Sequence, residues 1–472
     1  MNDVPRPATP PRLAGARVVV VGAAKSGRSL ARFLLSQQAS VVLTDSREAT
    51  ALGPEVAALE RGGARLELGG HDAETFTAAD LIAVSPGVPL TIPPLAAARA
   101  AGVRIVAEVE VASWFLKGIL IGITGSNGKS TTAALTAHLL AHAGLKATAC
   151  GNIGTPLTDL IARDTPDHYY VVELSSFQLE GIERFRPWVA ALLNLSPNHQ
   201  DRYPSLQAYY QAKCRLFLNQ GPADHAILNR DDAEVWGLAE TIRARIHPFS
   251  RVRDLPDGAC LKEDAIVLRR QGREIRGVPL RALPIPGAHN VENVMVALMI
   301  SDLVGVPIPK AVQGLGLFRG LPHRIEKIRD LDGVAWYNDS KATNVPATTK
   351  AIESFDVPIV LILGGKDKGG DFASLRPLLR ERVAALVLMG QARDTIALQI
   401  GDEVPSTRVA TMAEAIEAAR LAAPPSGVVL LAPACASFDQ YSSFEERGDD
   451  FRRRVLALPE RGRARSVTGG GA

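Results

Sequence analysis

The chain is 472 residues long, which at roughly 150 residues per domain makes room for about three domains and excludes a single small module. Hydrophobic residues make up 46% and charged residues 22%, enough for each domain to bury a core. The formal charge is only +3, which gives no electrostatic ground for a nucleic-acid or membrane-surface partner. The four cysteines, Cys150, Cys214, Cys260 and Cys435, lack CxxC spacing, so neither a zinc site nor a disulfide framework is expected and a reducing compartment fits. No apolar run approaches the roughly 20 residues that cross a bilayer. The Pro-rich opening MNDVPRPATPPR lacks the apolar stretch of a secretory leader and reads as a loose arm, as does the basic, Gly-rich end from Arg461 to Ala472.

Apolar β-rich runs alternate with helical patterns along the chain, the signature of α/β domains built on parallel sheets covered by helices. The first set of strands is predicted at Val18–Val21, Val41–Thr44, Leu81–Val84 and Ile105–Val106, with a helix over Gly27–Gln37. A second set falls at Leu120–Thr124, Tyr170–Leu174, Val189–Leu193 and Ile227–Asn229. The third is placed at Val334–Asn338, Ile359–Leu363, Leu386–Met389 and Val428–Leu431. Boundaries near 108 and 320 divide the chain into three tandem domains: a Rossmann-like domain over 1–107, a phosphate-loop domain over 108–320 and a second Rossmann-like domain over 321–472.

In open α/β sheets ligands sit beyond the carboxyl ends of the strands, so the turns there carry the chemistry. The first is GAAKSGRS, with Gly22 and Gly27 at the outer places of a dinucleotide fingerprint but Ala24 at the middle one; Asp45 ends the next strand, where such a fold puts its ribose acid. Three readings are open at this level: a dinucleotide cofactor, a phosphate held by free amides at a helix start near Ser26, or a structural turn. Ser85, Pro86 and Gly87 form a further turn after a strand.

The strongest signal is GSNGKSTT after Leu120–Thr124 and before a helical stretch. It is a phosphate loop in which Ile123 stands in the place of the first glycine, leaving Gly125 and Gly128 as the flexible positions. Amides of Gly125, Ser126, Asn127 and Gly128 can cradle phosphates, Lys129 supplies a charge for the β and γ groups, and Ser130 or Thr131 offers magnesium a hydroxyl. ATP or GTP binding follows.

TGSNGKST, CGNIGTPL, ELSSFQLE, LNLSPNHQDRYPS, GAHNVENVMVAL, LPHRIE and NDSKATN together make nearly the whole chain resemble the Mur ligases, the ATP-dependent amide-forming enzymes of peptidoglycan synthesis. NDSKATN and PACASFDQYSSFEERG are similar to the D-glutamate-adding branch. The resemblance implies a UDP-sugar domain, an ATP domain and an amino-acid domain. It implies a reaction in which the L-alanyl carboxylate of UDP-N-acetylmuramoyl-L-alanine is phosphorylated by ATP and then attacked by the amine of D-glutamate. Another amide ligase of the same family, adding a different amino acid or extending folate with glutamate, and, more remotely, a phosphate-loop kinase or NTPase are the alternatives.

Carried over residue by residue, the resemblance assigns Lys129, His199, Lys213 and Lys341 to catalysis. Magnesium, expected as two ions, is held by Ser130, Glu173, His199 and Lys213, the last as a carbamate. Asn198 departs from the acid common before that histidine. Asn290, Arg324 and Asp339 join the phosphate loop at ATP. Ser26, Asp45, Ser46, Arg47, Ser85, Gly87, Asn152 and His199 bind the UDP-sugar. Thr343, Lys368, Ser437 and Phe444 take D-glutamate, with Lys366 competing for the same carboxylate. Small-molecule substrates, a monomer, a cytoplasmic location and no membrane or nucleic-acid partner complete the expectation.

Overall fold

The computed structural model describes residues 9–197, 202–270, 272–283 and 288–460. His199 and Asn198 lie outside the described residues, as do the first eight residues of the expected arm and the tail from 461.

The first sheet holds β1 (Arg17–Val21), β2 (Ser40–Asp45), β3 (Arg65–Leu68), β4 (Leu81–Val84) and β5 (Arg104–Ala107), all parallel, in the order β3-β2-β1-β4-β5. Val18 to Val21 are buried throughout, as expected of a central parallel strand covered on both faces, which reads as an unbroken apolar run. β3 carries Arg65 and Glu67 and buries neither, so no such run marks it.

The second sheet comprises β6 (Ile119–Thr124), β7 (Ala147–Gly151), β8 (Tyr169–Glu173), β9 (Val189–Leu192), β10 (His225–Asn229), β11 (Arg245–Ser250), β12 (Gly258–Lys262), β13 (Ala265–Arg270) and β14 (Arg273–Pro279). Their order is β14-β13-β12-β11-β10-β9-β6-β8-β7. The uniformly parallel expectation needs correction, because β12, β13 and β14 pair antiparallel at one edge. Short connections explain this: two-residue turns join antiparallel strands, whereas parallel ones need a long crossover.

In the third sheet β15 (Glu326–Leu331), β16 (Val334–Asn338), β17 (Ile359–Gly364), β18 (Val383–Met389), β19 (Ser406–Arg408) and β20 (Val428–Leu431) run β15-β16-β20-β17-β18-β19. β15 is again an antiparallel edge strand, paired with β16 across a tight turn with Asp332 and Gly333 at positive φ.

Two compact units emerge, Met1–Phe318 and Arg319–Ala472. Inside the first, the helix Glu108–Phe115 follows β5 directly and serves both sheets. Val111 and Trp114 pack into the core around β1, while Val109, Ala112 and Leu116 pack with Tyr170 and Leu192 of the second sheet. Its buried acids are satisfied by hydrogen bonds: Glu110 accepts from the amides of Glu183, Arg184 and Phe185 and from Trp114 Nε1. Glu108 Oε1 accepts from Thr158 N and Oγ1, both at 2.9 Å, and Thr158 Oγ1 meets Ser29 Oγ at 2.6 Å. Burial pushes the Glu108 carboxyl up to about 7.

Candidate functional site

Strand β6 ends in the loop Gly125–Gly128, and the helix Lys129–His142 begins with Gly128 as its N-cap at φ +81. A side chain there would be strained, and its Cβ would lie 2.4 Å from Asn293 Oδ1. Lys129 folds back over the loop, its Nζ donating to Gly125 O at 2.8 Å and Ser126 O at 3.0 Å. Ser130 and Thr131 are buried on the helix's first turn. The loop is pinned from below by Asn194, whose carbonyl accepts from Ser126 N and whose Oδ1 accepts from Asn127 N at 2.8 Å. Asn290 reaches it through a relay: Asn293 Nδ2 donates to Asn290 Oδ1 at 2.9 Å, and Asn293 Oδ1 lies 3.0 Å from Thr132 Oγ1. Sequence reasoning missed Asn194 and Asn293. The second was visible as an asparagine three residues after Asn290 on one helix face.

Glu173 ends β8, paired beside Ile123 of β6. Its Oε1 accepts from Asn152 Nδ2 at 2.8 Å, whereas Oε2 is buried with no hydrogen-bond partner among the described residues. An unpaired carboxylate oxygen in the interior is costly unless a cation or donor meets it, and magnesium is a hard cation that takes oxygen ligands. Glu173 and Ser130 therefore fit it. No group of three His, Cys, Asp or Glu side chains among the described residues forms a metal cluster, so phosphate oxygens and water would supply the rest.

Lys213, on the helix Leu206–Cys214, is 2% exposed. Its Nζ donates to Gly125 O at 2.9 Å and stands 4.8 Å from the Tyr209 ring centroid. Burial first, then repulsion from Lys129, brings its ammonium down to about 6, against the pull of Glu173. Sequence alone reads this residue as a surface lysine; the structure buries it against the phosphate loop.

At the first sheet, Gly22 (φ +97) turns the chain into the helix Lys25–Ser36, which has no side-chain cap and leaves its early amides open to an anion. Asp45 accepts from Ala23 N at 2.7 Å and holds Arg47 by Nε and Nη2 at 2.9 and 2.8 Å. Burial alone would raise its carboxyl, but Arg47 and the amides of Ala23 and Arg47 outweigh that and bring it to about 2. Ser85 Oγ donates to Gly22 O at 3.0 Å, tying the turn after β4 to the glycine turn. Ser46, Arg47 and Gly87 are exposed and Ser26 half-buried along this rim. Lys25 Nζ donates to Gly154 O, so the GNIG turn bearing Asn152 also belongs here.

In the second unit, Asp339 follows β16 and is buried; burial raises its carboxyl to about 6 against the attraction of Arg324 and Lys341. Arg324 Nε is buried without a hydrogen-bond partner among the described residues. The Lys341 ammonium lies 5.6 Å from the Phe444 ring centroid. Ala434 N donates to Ala342 O at 2.9 Å, which ties the segment leading to Ser437 to the segment leading to Thr343. Paired backbone bonds between Lys366 and Ala436 bring the loop bearing Lys368 to the same place, with both lysines exposed. Arg447, overlooked in the sequence as one more charge in an acidic and basic run, is 2% exposed. It clamps the two loops, donating to Ser340 Oγ and O, both at 2.9 Å, and to Cys435 O at 3.1 Å.

A phosphate loop beside a buried acid and a buried lysine, followed by a separate α/β unit with its own polar strand-end turns, defines a phosphate-loop nucleotide-binding architecture with an added α/β unit. Family models agree: residues 16–107 match the MurD-like N-terminal domain of Mur ligases, 123–301 the Mur ligase middle domain and 323–435 the glutamate ligase domain. The chain belongs to the Mur ligase family, whose members are ATP-dependent and use magnesium. Within that family it is 45% identical over 444 residues to the UDP-N-acetylmuramoylalanine--D-glutamate ligase of Geotalea daltonii, covering 94% of this chain and 98% of that one. It is 46% identical over 442 residues to the ligase of the same name from Pelobacter propionicus, covering 94% and 99%. Among solved structures, UDP-N-acetylmuramate-alanine ligase MurC from Thermotoga maritima superposes with a TM-score of 0.57 at 17% identity, covering 93% of this chain and 99% of that one. MurF from Acinetobacter baumannii gives 0.57 at 19% identity, covering 90% and 88%. These last two share the fold.

Proposed function

We propose that the chain joins D-glutamate to UDP-N-acetylmuramoyl-L-alanine, with ATP converted to ADP and phosphate, as a cytoplasmic monomer in peptidoglycan precursor synthesis. The observation that carries this reading is the placement of Lys129, Lys213 and the unpartnered Glu173 oxygen around one phosphate loop, in a chain 45% identical to a D-glutamate ligase along nearly its full length.

The L-alanyl carboxylate oxygen attacks the γ-phosphorus, ADP leaves, and an acyl phosphate forms. The amine of D-glutamate then attacks the acyl carbon, loses a proton, and phosphate departs. Three anions must meet, so the site works by position and charge. The phosphate-loop amides and Lys129 hold the β and γ groups, while Asn290 and Asn293 brace the loop's helix. Glu173 and Ser130, with His199, would hold magnesium, which neutralises charge between phosphate and carboxylate when bound. The Arg47 rim, with Ser26, Asp45, Ser46, Ser85, Gly87 and Asn152, would receive the UDP-sugar. Arg324, Asp339 and Lys341 would serve ATP, and Thr343, Lys368, Ser437 and Phe444 the D-glutamate. On this reading the domains are 1–107, 108–320 and 321–472.

Lys213 fits the carbamate expectation on chemical grounds. Only a free amine attacks carbon dioxide, and an ordinary lysine near pKa 10.4 keeps roughly one part in a thousand free at pH 7.4. Held near 6, Lys213 is mostly free at that pH. Carbamylation forms a bond from Nζ to carbon, releases a proton, and leaves an anion near Lys129.

The test is phosphate release from ATP with UDP-N-acetylmuramoyl-L-alanine and each of D-glutamate, L-glutamate, meso-diaminopimelate and L-lysine, with the product weighed by mass spectrometry. Turnover with D-glutamate alone is expected. Turnover with another of these amino acids instead would overturn the substrate assignment, and none with any would overturn the ligase reading.

A further inference from the structure

One cation in the first unit is placed to do something none of the assigned residues does. Arg202 sits beyond β9, in the second sheet's half of the unit, yet its guanidinium donates to two carbonyls of the turn after β4: Nη1 to Gly87 O at 3.2 Å and Nη2 to Val88 O at 2.6 Å. That turn is itself fastened to the glycine turn by Ser85 Oγ on Gly22 O. The same guanidinium lies over the Phe177 ring, its central carbon 4.0 Å from the ring centroid. Phe177 stacks on Tyr203 at 5.8 Å and 10°, and Tyr203 lies against Tyr209 at 5.3 Å. Tyr209 completes the path, with its hydroxyl 3.3 Å from Ser126 Oγ in the phosphate loop and its ring beneath the Lys213 ammonium.

We propose that Arg202 is a positioning residue that couples the turn Ser85–Val88 to the phosphate loop through the Phe177, Tyr203 and Tyr209 rings, so that the sugar nucleotide and ATP strengthen each other's binding. The physics is specific to arginine. Its planar fork satisfies two adjacent carbonyls while its face rests on an aromatic ring, an arrangement that an ammonium cannot reproduce. The two carbonyls belong to a turn that has no other tie to the aromatic stack among its described hydrogen bonds. A ligand that orders this turn therefore orders the guanidinium, and through the rings the loop that receives phosphates. The reverse holds with equal magnitude, because coupling between two binding equilibria is reciprocal.

This inference rests on the reading that the Ser85–Gly87 rim binds the UDP-sugar, and the experiment separates the two. Calorimetry measures the affinity of UDP-N-acetylmuramoyl-L-alanine with and without a saturating non-hydrolysable ATP analogue and magnesium, for the wild type, Arg202→Met and Arg202→Lys. For the wild type the analogue is expected to tighten sugar-nucleotide binding by at least about fivefold, within the usual range of coupling between sites. Arg202→Met is expected to abolish that enhancement and raise KM for the sugar nucleotide about tenfold, while its affinity for the analogue alone stays at the wild-type value. Arg202→Lys is expected to recover part of the coupling through its charge. Wild-type protein that fails to bind the sugar nucleotide at all refutes the rim assignment itself. Binding without enhancement, enhancement that survives in Arg202→Met, or a loss of analogue affinity in Arg202→Met with no sugar nucleotide present each overturns the coupling role.

Discussion

Replacing Lys213 by methionine should make the protein more stable and inactive, and the size of the gain should depend on pH in a way that identifies its origin. The ammonium falls from 10.5 in the unfolded chain to about 6 in the folded one, chiefly by burial. Between those values the unfolded chain holds a proton that the folded protein has lost, so stability rises with pH by up to about 1.4 kcal/mol per unit, and the penalty is complete below 6. At pH 7 the buried lysine costs about 5 kcal/mol and at pH 9 about 2 kcal/mol. Methionine keeps the volume and abandons the titration. It also forfeits the bond to Gly125 O, a loss of about 1 kcal/mol that does not depend on pH. Urea unfolding of both proteins in magnesium-free buffer purged of carbon dioxide, at pH 7 and pH 9, gives the comparison. The variant's advantage should shrink by about 3 kcal/mol between the two. An advantage equal at both values would show that Lys213 is charged in the folded state, and the argument for a reactive free amine would fail with it.

Other outcomes follow from neighbouring residues. Glu173→Gln keeps the partner of Asn152 and removes the anionic oxygen offered to magnesium, so the magnesium concentration for half-maximal activity should rise about tenfold or more; an unchanged titration would reject Glu173 as a ligand. Gly128→Ala forces a side chain into a left-handed conformation and against Asn293, and should cost about 1–2 kcal/mol of strain and abolish ATP binding measured by calorimetry. Glu108→Gln retains an acceptor for Thr158 while removing a carboxyl whose value rises from 4.5 to about 7. The favourable effect of protonation is complete below pH 4.5 and lost through pH 7. The variant should therefore match the wild type near pH 4.5 and exceed it by about 3 kcal/mol at pH 8, which chemical denaturation at the two pH values would check.

Much of this architecture was legible because central parallel strands announce themselves. Val18–Val21 and Ile359–Leu363 are apolar on both faces and end in turns where chemistry collects. Edge strands obey a weaker rule: Arg65–Leu68 and Ser406–Arg408 carry charge because water reaches them, so nothing in their pattern distinguishes them from loops. The phosphate loop could be read whole, since a strand, glycines, a lysine and a helix are contiguous. Asn194 and Arg447 could not. Each acts on backbone groups far away in the chain, and a polar side chain devoted to a distant carbonyl or amide looks the same in sequence as one devoted to water. Lys213 was found through resemblance alone, because its meaning lies in burial.

The Asp45–Arg47 pair changes what the first strand-end site can recognise. Both carboxylate oxygens are already spoken for by the Ala23 amide and the arginine, so no lone pair faces outward for a ribose diol. What the strand end presents instead is a half-exposed guanidinium, which inverts the preference of the rim from donors to acceptors such as pyrimidine carbonyls and phosphates. The two residues act as one group, and their substitutions should not add. Removing Arg47 uncovers an anion facing the ligand's own negative charge, whereas removing both leaves a neutral edge, so the double variant should bind better than the single one.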